Sequence, residues 1–230
     1  MKTLAFNLAA VMLLGIGAAP LTGCNKSQDS IPPNMSLLVQ PDGSSNINAA
    51  NCQYNLNQLP TESLSEAEKA SLLYMREEEK LAHDVYVAMY AKWGVNIFNN
   101  IQSSEQTHTD AVLMLLQKYQ VADPVGANGL GVFTNADLQT LYNQLIQQGN
   151  QSVIEALKVG ALIEEVDIMD LKTALNGVID NQDIRLVYDN LYRASGNHLR
   201  AMVRNLSNRG VTYAPQRLSQ ADYETIINGN

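Results

Sequence analysis

Glutamate and histidine side chains at helical spacing are the residues of this sequence with the clearest chemical potential. Glu105 and His108 stand three positions apart, so on a helix they lie on one face and can reach the same ion. Glu79, Glu164 and His198 occupy comparable positions elsewhere along the chain. Carboxylates combined with a few imidazoles suit iron and manganese, whereas a structural zinc site usually includes thiolates. These five residues are therefore candidate ligands of a metal site.

The five side chains interrupt apolar stripes that otherwise predict buried helix faces. The apolar pairs that flank them are Met75 and Ala82, Ile101 and Val112, Ala161 and Ile168, and Ala194 and Met202. A carboxylate in an apolar interior costs several kcal/mol unless it is paired or bound to a metal. Ionisable groups on four inward faces therefore indicate most of the ligand set of a carboxylate-bridged two-metal site.

Separate structural roles are the alternative for each of these residues. Glu77 is expected to face solvent, and Glu78, Glu79 and Lys80 could belong to the same solvated helix face. A single Glu-x-x-His spacing is common by chance. His108 and His198 could be hydrogen-bonded core histidines. The coincidence of four interrupted stripes favours one shared metal site over four unrelated explanations.

Four long amphipathic helices are predicted to carry these residues. The helical period of apolar residues places the first at about residues 66–92 and the fourth from about Asp180 to Arg209. The second carries apolar residues from Ile97 to Tyr119, and the third carries them from Leu157 and ends at Gly177. Ser65 and Glu68 form a capping box at the first start. A shorter helix is expected at about 135–148, capped by Thr134, and a small closing helix after Ser219. No strand period is found.

The connections between these helices predict their topology. Tight turns join the first pair and the last pair, whereas roughly 30 residues join the second helix to the third. Such a long connection can run the length of a bundle and make the second and third helices parallel. The predicted fold class is all-α: a four-helix bundle with one long crossover connection that carries a short helix.

Composition excludes two classes of protein. Fifteen Lys and Arg against 23 Asp and Glu give a formal charge of −8, so no basic face is available for nucleic acid. Two cysteines exclude a disulfide framework. The composition is otherwise that of an ordinary globular protein, and a homodimer is compatible with it.

The first 23 residues have the pattern of a secretory signal, with Lys2 before an apolar run. The run ends in Leu21-Thr22-Gly23-Cys24, which resembles a bacterial lipobox. This resemblance implies cleavage before Cys24, a lipid on that residue and a membrane partner. An ordinary signal peptide and a membrane helix are the alternatives. Asn25 implies outer-membrane sorting in Gram-negative lipoproteins, so we expect a cell-envelope protein facing the periplasm.

Residues 24–60 are rich in Asn, Gln, Ser and Pro and predict a flexible tether before a domain of residues 61–230. Cys52 lies in this tether. Its thiol either pairs with another chain or is inert in a loop.

Three motifs resemble those of the ferritin-like domain-of-unknown-function family 2202. They are Met75-Arg76-Glu77-Glu78-Glu79-Lys80-Leu81-Ala82-His83-Asp84-Val85-Tyr86, Ser104-Glu105-Gln106-Thr107-His108 and Asn197-His198-Leu199-Arg200-Ala201. The resemblance covers about residues 65–227 and implies a ferritin-like four-helix bundle without an established activity. The superfamily pattern is Glu, Glu-x-x-His, Glu and Glu-x-x-His on successive helices. Tyr86 matches a tyrosine often found near such centres, where it could donate an electron or a hydrogen bond.

One position departs from the superfamily pattern. Ser195 stands three residues before His198, where the pattern has Glu. Asp167 either replaces this carboxylate, because it shares a helix face with Glu164, or is an ordinary solvent-facing charge beside Glu165. Two iron or manganese ions are expected with the replacement, and one tightly bound ion without it.

Two functions of different classes follow from these motifs. The first is a di-iron or manganese oxidoreductase, tethered to the envelope, that acts on dioxygen or peroxide with an electron donor that the sequence does not specify. The second is a non-catalytic envelope module whose bundle binds a partner, holds metal passively or keeps a relict site.

The lipobox generates a first prediction. Because the lipid would be attached through the Cys24 thiol, Cys24→Ser should move the protein from the membrane fraction to the soluble fraction in cell fractionation. A variant that stays fully membrane-bound would contradict the lipid anchor.

Overall fold

The computed structural model describes residues 37–229, and the predicted signal with Cys24 lies outside this range. The described elements are β1 (Leu37–Val39), β2 (Ser45–Ile47), α1 (Ala49–Gln58), α2 (Glu66–Trp93), α3 (Asn96–Lys118), α4 (Ala136–Gly149), α5 (Val153–Gly177), α6 (Gln182–Ser207) and α7 (Gln220–Ile227). The all-α prediction is confirmed. None of the helices within residues 37–229 combines the length and apolar character needed to cross a membrane.

Local capping explains where the helices begin. Ser65 and Glu68 form the predicted capping box, in which each side chain accepts the other residue's backbone N–H at 3.2 and 3.0 Å. The predicted cap of α4 is wrong by one residue. Asn135 accepts the N–H groups of Asp137 and Leu138, whereas the Thr134 hydroxyl donates to the Pro124 carbonyl oxygen at 2.7 Å.

The four long helices α2, α3, α5 and α6 pack around a common interior. Short turns join α2 to α3 and α5 to α6, so each pair folds back on itself. Between α2 and α5 the contacts run in opposite directions, because Tyr86 meets Gly160 whereas Glu78 meets Asp170. Helix α5 is therefore antiparallel to α2 and parallel to α3, and the connection through α4 spans the length between them.

A polar layer divides the apolar interior into two clusters. On α2 one cluster ends at Met75 and the other begins at Leu81, and on α6 the corresponding residues are Leu191 and Leu199. Burial of these apolar side chains stabilises the helices on either side of the layer. The two clusters therefore fix the positions of the polar residues between them.

The N-terminal segment contradicts the predicted tether from residue 37 onward. Strands β1 and β2 form an antiparallel hairpin in which Leu37 pairs with Ile47, so the expectation of no strands is also wrong. Ile47, Cys52 and Leu56 are buried in one cluster with apolar residues of the long helices. Few apolar residues suffice here because the hairpin and α1 add to a core that the long helices already form.

Cys52 lies inside this core and not in a loop. Its side chain is fully buried, and burial raises the pKa of the thiol to about 11. The thiol is therefore inaccessible to a cysteine of another chain, and it stays protonated.

Glu165 of α5 holds the chain that precedes α7. Its buried carboxylate accepts the Tyr213 hydroxyl at 2.5 Å and the backbone N–H groups of Gln216, Arg217 and Leu218 at 2.7 to 3.1 Å. The anchored residues close the outer face of α5 and α6, where Tyr213 and Tyr223 join the core.

This anchor gives a prediction about stability. Glu165→Ala leaves several buried donors without an acceptor and should lower the free energy of unfolding by about 2–4 kcal/mol, measured by denaturant titration. Glu155→Ala, at the more exposed start of the same helix, is the matched control. Equal effects of the two substitutions would contradict the role of Glu165.

Candidate metal centre

The five predicted ligand residues meet in the polar layer. Glu79 comes from α2, Glu105 and His108 from α3, Glu164 from α5 and His198 from α6. None of the five is more than 2% exposed. The structure therefore brings them together in a region from which bulk water is excluded.

Glu105 lies between the two histidines. Its Oε2 is 2.8 Å from Nδ1 of His108, and its Oε1 is 2.9 Å from Nδ1 of His198. A second carboxylate faces each imidazole at 3.4 Å: Glu79 for His108 and Glu164 for His198. The two rings stack with centroids 5.4 Å apart.

This geometry forms two three-residue groups that share Glu105. In each group, Glu79-Glu105-His108 and Glu105-Glu164-His198, one ligand atom per residue lies within 4.8 Å of the others. A carboxylate that presents one oxygen to each group can bridge two metal ions. Each group alone could hold one.

The residues present could hold metal ions, because the oxygen and nitrogen donors of both groups are suitable metal ligands. Buried polar atoms normally have hydrogen-bond partners, yet within residues 37–229 Glu79 Oε1, Asp167 Oδ1 and Nε2 of His198 lack one. These atoms are free to coordinate a metal ion.

Burial and mutual repulsion shift the pKa values of the carboxyl groups. Burial raises the pKa of Glu79 to about 7 and also raises the pKa of Glu164. Burial opposes ionisation of Glu105, but the positive charges of His198 and His108 outweigh it and lower the pKa of that carboxyl group. Protons on the imidazoles thus balance the negative charge of the carboxylates. A bound metal cation can take the place of these protons.

Asp167 lies beside Ser195, which stands where the superfamily pattern has a carboxylate on α6. The Ser195 hydroxyl donates to Asp167 Oδ2, and among the described residues Oδ1 has no hydrogen-bond partner. Asp167 is 7% exposed, so the alternative of a solvent-facing charge is wrong. It is not a member of either three-residue group, although its pKa is raised well above the usual range by burial and by the nearby Glu79.

Tyr86 touches the centre through Glu164. Its hydroxyl is in hydrogen-bond contact with Glu164 Oε1 and lies 3.2 Å from the Gly160 carbonyl oxygen. Burial and the Glu164 charge raise the pKa of Tyr86 well above its usual value. The phenol therefore keeps its proton and donates it to a hydrogen bond.

The charged residues around Glu79 do not form the solvated face that the sequence allowed. Glu77 accepts the backbone N–H groups of Thr134 and Asn135 at 2.5 and 3.0 Å. Asp84 accepts the N–H of Gly131 at 2.8 Å. Both carboxylates therefore hold the crossover between α3 and α4 against α2.

The two cations of the same helix turn also bind the crossover. Arg76 pairs with Asp123 at 3.1 Å, and Lys80 pairs with Asp84 and donates to the Gly129 carbonyl oxygen at 2.9 Å. Their charges are neutralised away from the metal centre. Asp123 and Gly129 lie some 50 residues further along the chain than Arg76 and Lys80, which is why the sequence did not reveal this role.

Glu78 extends the acidic layer toward the surface. It is buried and contacts Asp170, which also contacts Tyr74. Burial and the charges of Asp170 and Asp167 raise the pKa of Glu78 well above its usual range. The burial of Glu78 beside Glu79 was not predicted from the sequence, because adjacent residues on a helix point in different directions.

The N-terminal hairpin reaches the centre from outside the four long helices. The carbonyl oxygen of Ser45 lies 2.6 Å from Nε2 of His108. Sequence reasoning missed this contact because it placed residue 45 in a tether. The turn signal Pro41-Asp42-Gly43 was the available evidence for the hairpin.

Comparison with known proteins identifies a similar protein in both sequence and structure. The chain is 50% identical over 175 residues to the uncharacterized protein MJ0754 of Methanocaldococcus jannaschii, a match that covers 76% of this chain and 94% of the relative. The crystal structure of hypothetical protein MJ0754 superimposes with a TM-score of 0.72 at 52% identity, covering 74% of this chain and 97% of that one. The model of the family described as "Uncharacterized protein domain (DUF2202)" matches residues 68–230. The chain therefore belongs to the DUF2202 family.

Proposed function

We propose that this protein is a metal-dependent oxidoreductase that uses two iron or manganese ions to act on dioxygen or peroxide. The observation that carries the proposal is Glu105, whose two oxygens face two histidines that are each flanked by a further carboxylate. A carboxylate shared in this way would allow two ions to act on one small oxidant. When bound, the metal pair would supply the electrons for reduction of that oxidant, and an external electron donor would restore them.

The residues of the chain hold and shield this pair. Glu79 and His108 would hold one ion, and Glu164 and His198 the other, with Glu105 between them. Tyr86 orients Glu164 by its hydrogen bond and lies within reach for proton donation. The apolar clusters above and below the layer keep bulk water out of the centre.

We also propose that the four long helices form a ferritin-like bundle. The antiparallel pairs, the parallel orientation of α3 and α5 and the single long connection through α4 support this arrangement. Ligands contributed by all four helices toward one interior are a property of carboxylate-bridged metal sites in such bundles.

A lipid on Cys24 would place this domain in the cell envelope, at the outer membrane if the source is Gram-negative. The lipobox-like Leu21-Thr22-Gly23-Cys24 supports this proposal. Any flexible spacer is then confined to the residues before the hairpin.

The proposed reaction predicts both metal content and turnover. Protein beginning after residue 24 should bind about two iron or manganese ions per chain by elemental analysis, and its optical spectrum should change on addition of peroxide as peroxide is consumed. His108→Gln should lose at least one ion and most of the turnover. His83→Gln is the matched control, because His83 faces Asp84 and not the centre.

Each outcome separates the candidate functions. Metal without peroxide or dioxygen consumption would contradict the oxidoreductase and favour passive metal holding. Equal metal content in His108→Gln and the wild type would contradict the ligand assignment.

The contact between Asp167 and Ser195 gives a second prediction. If Asp167 supplies the carboxylate that Ser195 cannot, Asp167→Ala should reduce bound metal from about two ions per chain toward one. Adding Ser195→Glu should restore the second ion, because that carboxylate and His198 share a helix face. A wild type that binds one ion, unchanged by Asp167→Ala, would contradict the replacement.

A further inference from the structure

We propose that the N-terminal hairpin, residues 37–47, is a working part of the metal centre. Its Ser45 carbonyl fixes the orientation of His108 and makes the Glu79-Glu105-His108 half bind metal more tightly than the His198 half. This inference rests on the proposed two-metal function and adds to it an order in which the two halves fill.

The contact to Ser45 decides which nitrogen of His108 can bind metal. A carbonyl oxygen only accepts hydrogen bonds, so in this contact Nε2 carries the proton and donates it over 2.6 Å. Nδ1 then faces the carboxylates of Glu105 and Glu79, at 2.8 and 3.4 Å, and would give up the proton that it shares with them when it binds metal. Metal-binding histidines characteristically donate their other N–H to a carbonyl or carboxylate, which fixes ring orientation and raises ligand basicity.

Ser45 is itself held by the helices that carry the histidines. Its N–H donates to the Ser104 hydroxyl at 2.8 Å, and its hydroxyl oxygen lies 2.8 Å from Nδ2 of Asn197. The Ile47 N–H donates to the Thr107 hydroxyl at 2.9 Å. Ser45 is fully buried, so the carbonyl is a fixed acceptor rather than a mobile one.

The other half of the centre lacks an equivalent support. Within residues 37–229, Nε2 of His198 is buried without a hydrogen-bond partner. His198 is therefore oriented by packing and by its carboxylates alone. Loss of such an outer hydrogen bond typically costs 10–100-fold in metal affinity, which sets the scale of the expected difference between the halves.

The hairpin also lies outside the part of the chain that defines the family. The family model begins at residue 68, whereas the hairpin ends at Ile47. The ligand residues thus lie within the region that the family model matches. The carbonyl group that orients His108 belongs to Ser45, which precedes that region.

Gly43 provides a way to lift the hairpin without touching a ligand. Its φ is +94°, and a Cβ there would come within 2.6 Å of Ile97 Cδ1 and 2.8 Å of Ala201 Cβ. Gly43→Val should therefore displace the turn from α3 and α6. Ser104→Ala removes the acceptor of the Ser45 N–H and is a gentler second variant. Leu38→Ser, at a side chain 53% exposed in the same hairpin, is the control.

The experiment is a calorimetric titration of metal-free protein with Mn²⁺. The wild type and Leu38→Ser should show two binding steps, and Gly43→Val should weaken the tighter step 10–100-fold while the weaker step is unchanged. In the Co²⁺-loaded wild type, a paramagnetically shifted imidazole N–H should exchange slowly with solvent, and this exchange should become fast in Gly43→Val. If Gly43→Val does not fold, Ser104→Ala decides by the same two measurements.

Three results would overturn the inference. Two steps unchanged in both hairpin variants would show that the hairpin does not set affinity. Equal weakening of both steps would show a general structural effect. A wild type that binds no Mn²⁺ at all would instead remove the proposed two-metal function on which the inference rests.

Discussion

The cost of placing carboxylates and imidazoles in a dry interior is the constraint on which this structure depends. Acidic groups without solvent are tolerated only if positive charge or hydrogen-bond donors face them. Glu105 meets this requirement by facing both histidines at once, so α3 and α6 must approach the same point. The apolar clusters on either side then stabilise this arrangement, in which each of the four long helices contributes a polar residue to one layer.

Helix α2 contributes residues to the polar layer and also binds the crossover between α3 and α4. Its inward face carries Glu79 and Tyr86, while Glu77, Lys80 and Asp84 bind the crossover. The cations of the helix are thereby paired outside the centre. This separation matters because an additional positive side chain among the ligands would compete with a metal ion for the same carboxylates.

The sequence predicted most of the candidate centre because helical periodicity is local. Interrupted apolar stripes located Glu79, Glu105 and His108 without knowledge of their neighbours, and spacing located Asp167. The crossover contacts of Glu77 and the contact of Ser45 with His108 depend on chain that is distant in sequence, and no periodic pattern records them. The hairpin and α1 were missed for a related reason: they contribute few apolar residues to a core that other helices supply.

The complete burial of the ligand residues has a kinetic consequence. None of the five residues of the two groups is more than 2% exposed, so neither an ion nor a chelator can reach the layer while the helices stay closed. Exchange must wait for a local opening, whose frequency depends on the free energy of separating that region from the core. The centre would then retain its ions far longer than their affinity alone implies, and the rate of exchange would report the dynamics of the helices rather than the strength of the metal bonds.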